Sequence, residues 1–108
     1  MKLGRDDILA AKDEQVEEVD VPQWKGSVFV RTMTGKEREE FEERMAKSSA
    51  KGRAYLVAFT LCDETGARLF ADADIEALQA KNGAALDRIA RRALVVNGLA
   101  SAEELEGN

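Results

Sequence analysis

WKGSVFVRTMTGKEREEFEERMAK, residues Trp24 to Lys47, changes hydrophobic period in its middle, and the fold class turns on that change. SVFVRTM alternates Val28 and Val30 on one face with Phe29 on the other, the period of two that marks a strand. From Thr34 onward the chain carries Glu, Lys and Arg so densely that only a water-facing helix suits it. Thr34 is a helix N-cap with Glu37 three residues on as its capping-box partner, and Phe41 and Met45 form a narrow inward stripe. Glu40 with Arg44 and Glu43 with Lys47 stand four residues apart in the favoured order on the wet face.

Working upstream, EQVEEVDVPQW alternates Val19 and Val21 with Asp20, and Pro22 marks an edge strand or its end. With KGS as a turn, the two strands make a β-hairpin, which is marginal in water unless helices pack on it. Residues 4–13, GRDDILAAKD, read as a short helix with Ile8 and Leu9 facing inward and two aspartates in the first turn. Working downstream, RAYLVAFTLC (53–62) is apolar almost all round; its spacing predicts a buried central helix, with a strand as the competing reading. DETG is a turn and ARLF a brief extended return. Asp72 caps ADIEALQAKN, which buries Ile75 and Leu78 and stops at Asn82-Gly83. AALDRIARRALVVN (84–97) is the clearest amphipathic helix, with Leu86, Ile89, Ala90, Ala93 and Val96 on one face and Arg88, Arg91 and Arg92 around Val95 on the other. Ser101 and Glu104 open a last short helix. The expectation is one α+β domain over residues 1–108, mainly helical: an N-terminal β-hairpin packed against about four helices, with residues 99–108 frayed.

Composition narrows the function. The chain has 108 residues, is 44% hydrophobic and 34% charged, and carries a net charge of −5. That is a globular composition, and the sign argues against nucleic acid as a partner. There is no histidine, which removes histidine triads, histidine-ligated zinc and histidine acid–base catalysis. A single cysteine, Cys62, cannot close an internal disulfide and reads as core packing. The N-terminus shows no signal-peptide core and the chain no bilayer-length apolar run, so a cytosolic location is expected. Asp72, Asp74 and Glu76 resemble the opening of a calcium loop, but Ala77 and Gly83 stand where the loop needs glycine and glutamate. Paired carboxylates such as Asp63 with Glu64 or Glu17 with Glu18 read as solvated surface. No catalytic constellation is present; the chain reads as a binding module. Its candidate partner-binding residues are Arg88, Arg91, Arg92 and Val95, an aliphatic group ringed by guanidiniums, together with Trp24.

The order of these elements resembles a known family. LGRDDILAAKDEQVEEVDVPQWKGSVFVRTMTGKEREEFE is similar to the N-terminal half of tail assembly chaperones of long-tailed bacteriophages and prophages. Val21, Pro22, Trp24, Gly26, Val28, Val30, Arg31, Thr34, Gly35, Glu37, Phe41 and Glu42 fit that family's VPxWxGxVxVRxxTGxExxxFE pattern. DETGARLFADADIEAL matches its DExGxxLFxxxDIxxL through Asp63, Glu64, Gly66, Leu69, Phe70, Asp74, Ile75 and Leu78. The resemblance implies a non-enzymatic protein without cofactors that works in the cytoplasm of the bacterial host and is absent from the finished virion. Its implied partners are the long helical tape measure protein, which it keeps soluble until tube subunits polymerise, and the tail tube protein through a longer frameshifted form. Self-association is also expected, and neither nucleic acid nor membrane is a partner. The rival reading from the residues is a small cytosolic adaptor or regulatory module that binds one folded protein.

Overall fold

Thr34 is where the chain leaves its sheet in the computed structural model, which describes residues 1–106. β1 (Val16–Val21) and β2 (Gly26–Arg31) form an antiparallel hairpin, with Val16 opposite Arg31 and Val21 opposite Gly26. A 3₁₀ turn at Pro22–Trp24 joins them. Alternation buries Val19, Val21 and Val30 and leaves Glu18, Asp20 and Ser27 exposed, as the period of two requires.

The helical reading of residues 53–62 holds for most of that segment. α3 (Gly52–Thr60) is buried on several sides, but Leu61 and Cys62 form a third strand, β3, with Cys62 opposite Phe29 and Leu61 opposite Val30. The sheet order is β1-β2-β3. A run that is apolar all round satisfies a buried helix and a buried strand equally, so period alone does not mark the boundary.

α2 (Gly35–Lys47) begins with the expected capping box: Thr34 Oγ1 accepts from the Glu37 N–H, and Glu37 Oε1 accepts from the Thr34 N–H. Phe41 is buried and Met45 half-buried. Glu43 reaches Lys47 at 3.9 Å, but Arg44 does not pair with Glu40. It turns to Asp72, and its guanidinium lies 5.7 Å from the Tyr55 ring centre and 5.6 Å from that of Phe59. An acid on another element combined with two aromatic rings outcompetes an exposed carboxylate on the same helix. Asp72 consequently does not cap the next helix. Asp74 accepts from the Ala71 N–H at 2.8 Å instead, ahead of α4 (Ile75–Gln79), which buries Ile75 and Leu78 as expected.

Asn82 also differs from expectation. Rather than stopping α4, it caps α5 (Gly83–Val96), its Oδ1 accepting from the Ala85 N–H at 3.0 Å. α5 buries Leu86, Ile89, Ala90 and Ala93 against α3 and the sheet, while Val96 is only half-buried. α6 (Ala102–Glu106) starts at Ser101, whose hydroxyl accepts from the Glu104 N–H at 3.0 Å. Residues 107 and 108, part of the segment expected to fray, lie outside the described residues.

The largest departure is α1 (Arg5–Ala10). Ile8 and Leu9 were expected to face inward, yet they are 58% and 68% exposed, and every residue from Met1 to Val16 is on the surface. The linker explains why. Gln15 is paired to Thr32 in both directions at 3.0 Å, prolonging the hairpin, and the Glu14 carboxylate lies so close to Gly66 that a Cβ there would sit 2.6 Å from its Oε1. α1 therefore begins beyond the edge of the packed body, where helical spacing is satisfied without anything to pack against.

Candidate protein-binding groove

The outward face of α5 runs beside the edge strand β1 and leaves a groove of about 560 Å³. Ala84, Arg88, Arg91 and Val95 follow at intervals of four, three and four, so helical geometry stacks them in one row along the groove. Val19, flanked by Glu18 and Asp20, faces them from β1, and Leu105 of α6 closes one end. The three arginines differ in freedom. Arg92 forks onto the Glu17 carboxylate of β1 at 2.6 and 3.1 Å, clamping helix to sheet. Arg91 pairs with Asp87 at 2.8 Å and donates to the Leu105 carbonyl at 3.3 Å, which ties α6 down. Arg88 is exposed and lines the groove.

Arg88, Arg91, Arg92 and Val95 thus share one surface, and Val95 is half-buried rather than exposed. Trp24 is elsewhere: it lines a separate cleft of about 360 Å³ with Phe70, Ala77, Leu78 and Lys81. The β1 and α6 contributions, Glu18, Val19, Asp20 and Leu105, were missed. Alternation in β1 assigns Val19 to the inner face, but nothing local in the sequence says that α6 folds back beside α5.

A groove with aliphatic side chains at its base, guanidiniums along one wall and carboxylates along the other fits an amphipathic protein segment better than a reactive small molecule. Three perturbed ionisable groups, Cys62, Asp63 and Glu37, lie outside it and serve the fold. Burial pushes the Cys62 thiol above its usual range, which makes it a poor nucleophile. Hydrogen bonds from the Thr65 side chain and from the backbone of Ala67 and Thr65 hold Asp63 below the usual carboxylate range, fixing the turn that precedes Arg68. Burial opposes ionisation of Glu37, but the Arg31 guanidinium and the Thr34 N–H more than offset it and leave its carboxyl lowered. Among the described residues no cluster of acidic or cysteine side chains could hold a metal ion, and no helix is long and apolar enough to cross a membrane.

Asn97 ties the end of α5 to the chain that leaves the sheet. Its side chain accepts from the Met33 N–H at 2.7 Å and donates to the carbonyls of Arg31 at 3.3 Å and Ala93 at 2.9 Å. It therefore joins the end of α5 to the chain leaving β2.

The sequence model of a family described as phage tail assembly chaperone matches residues 6–108. Among solved structures, the bacteriophage HK97 tail assembly chaperone superposes with a TM-score of 0.67 over 89% of this chain and 95% of that one. Sequence identity between the two is 22%, so this likeness is one of fold. A sequence search of curated proteins returned no match.

Proposed function

The chain belongs to the phage tail assembly chaperone family, and from that premise we propose that it binds the tape measure protein through the groove between β1, α5 and α6. The observation that carries this reading is the α5 row itself: an exposed arginine and a half-buried valine facing a valine and two acids across an open channel. A tape measure protein is long and helical, and an amphipathic stretch of it would lay its apolar side against Val95 and Leu105. Its charged flanks would meet Arg88 on one wall and Glu18 and Asp20 on the other.

The groove is shallow and its rim is charged, which favours modest affinity at each site. Many copies along one client would hold it by avidity, and tube subunits polymerising on the same client would displace them one at a time. In this reading the protein performs no catalysis, acts in the host cytoplasm and is left out of the finished particle.

The test is co-expression with the long helical protein encoded nearby, scored by soluble yield and co-purification. A client that is insoluble alone, but soluble and bound in the pair, supports the reading. A client equally soluble without this chain, with nothing co-purifying, overturns it.

A further inference from the structure

β1 is the outer strand of the sheet, and its register settles which backbone groups its free edge offers. The Thr32 N–H donates to the Gln15 carbonyl at 3.0 Å, which makes these two a bonded pair one step beyond the Val16–Arg31 pairing. Bonded pairs alternate along an antiparallel ladder, so Glu17, Val19 and Val21 also turn their N–H and C=O groups to β2. Val16, Glu18 and Asp20 turn theirs away from the sheet, where no described backbone group pairs with them. Glu18 and Asp20 are exposed and line the α5 groove, so an open channel runs along these unpaired groups.

We infer that this edge takes an extended segment of another protein as an added strand, with basic side chains opposite Glu18 and Asp20 and aliphatic ones between. Backbone pairing supplies the affinity, and the alternating side chains choose the partner. Glu18 and Asp20 lie on one face of the sheet, where the Ser27 hydroxyl donates to the Glu18 carboxylate. Glu17 and Val19 lie on the other, where Arg92 of α5 forks onto Glu17. An added strand repeats this alternation. Its residues opposite Glu18 and Asp20 meet carboxylates, which Lys or Arg answers. Those between turn to the α5 side, where Val95 and the stems of Arg88 and Arg91 favour an aliphatic group.

The occupant is not β1 of a second copy. Paired edge to edge, two such strands would set Glu17, Glu18 and Asp20 of each beside those of the other, and acidic edges of this kind resist self-pairing. An added strand and a client helix need the same channel and exclude each other. The edge accepts its strand whether or not the groove holds a tape measure segment.

Isothermal titration of the full chain, without client, tests this with a short synthetic peptide alternating lysine and valine, against one alternating glutamate and valine. The lysine peptide is expected to bind at least about tenfold more tightly. In its complex, hydrogen exchange at the Glu18 and Asp20 amides is expected to slow by at least about tenfold, with the Glu17 and Val19 amides little changed. Two variants separate backbone pairing from charge attraction. Glu18→Ala and Glu18→Pro both lose the carboxylate, but only proline loses the outward N–H, and an edge strand tolerates proline there. Glu18→Pro is expected to bind the lysine peptide at least about tenfold more weakly than Glu18→Ala. If circular dichroism shows that Glu18→Pro does not fold, the exchange measurement on the wild-type chain decides. A lysine peptide that binds no better than the glutamate one, a complex without slowed exchange at Glu18 and Asp20, or equal binding by the two variants would each overturn the inference.

Discussion

Replacing Glu37 by alanine should destabilise the protein by about 3–4 kcal/mol, because it strands a buried cation. Arg31 is 6% exposed; its guanidinium is held by a two-pronged contact to Glu37 and by the Phe59 carbonyl at 3.1 Å. Its Nε has no hydrogen-bond partner among the described residues. Removing one member of a buried ion pair costs roughly 3–5 kcal/mol, since the survivor keeps its desolvation penalty without the attraction that offset it. The Glu37 side chain is 19% exposed, so water can partly replace it, which points to about 3 kcal/mol. Loss of its bond to the Thr34 N–H weakens the cap of α2 by roughly another 0.5 kcal/mol. Against a total stability of about 5–15 kcal/mol this is a large fraction. Glu37→Gln keeps an acceptor for Thr34 and Arg31 and loses only the charge, so it should cost less, about 1–2 kcal/mol. Urea unfolding at pH 7 measures both; with a slope near 2 kcal/mol per molar, Glu37→Ala should lower the midpoint by about 1.5–2 M. A loss under about 1 kcal/mol, or equal losses for the two variants, would refute the claim that charge pairing of Arg31 holds α2 to the sheet.

The same pair predicts a pH dependence. The folded-state carboxyl of Glu37 lies below its ordinary value of 4.5, so its contribution is fully present above that value and is lost as the pH falls through the lowered one. Thermal melts from pH 6 to pH 3 should show a loss that Glu37→Gln does not share. Asn97→Ala removes three side-chain contacts to the backbone, two of them joining the end of α5 to the chain leaving β2, and should cost about 2 kcal/mol in the same urea assay. Gly66→Ala forces a Cβ onto a backbone with φ of +92° and against Glu14, and should cost about 1–2 kcal/mol by urea titration. Arg88→Glu should change stability by no more than about 0.5 kcal/mol, while client binding, read by titration of purified tape measure segments, weakens by about tenfold.

Period and capping made much of this fold legible. The step from alternation to helix at Thr34, the capping box with Glu37 and the buried stripe of Leu86, Ile89 and Ala93 are local, and a single sequence displays them. What it did not display depends on partners distant in the chain. Leu61 and Cys62 become a strand because Phe29 and Val30 present an edge for them. Arg44 abandons Glu40 because Asp72 and two rings stand across from it. Ile8 and Leu9 carry the spacing of a packed helix, and spacing says nothing about whether a surface exists to receive it. The same division applies to the groove. Its α5 wall was readable as a helical face, while its β1 wall and the closure by Leu105 required the tertiary fold.

The most direct test of the central claim, that the groove beside α5 holds the client, is site-specific photocrosslinking in the co-purified complex. A benzophenone side chain would stand in place of Arg88 in one preparation and of Glu64, in the distant Asp63–Gly66 turn, in another. Crosslinks to the tape measure protein are expected from position 88 and none from position 64. Crosslinks from position 64 without any from position 88 would place the client on another face and contradict it.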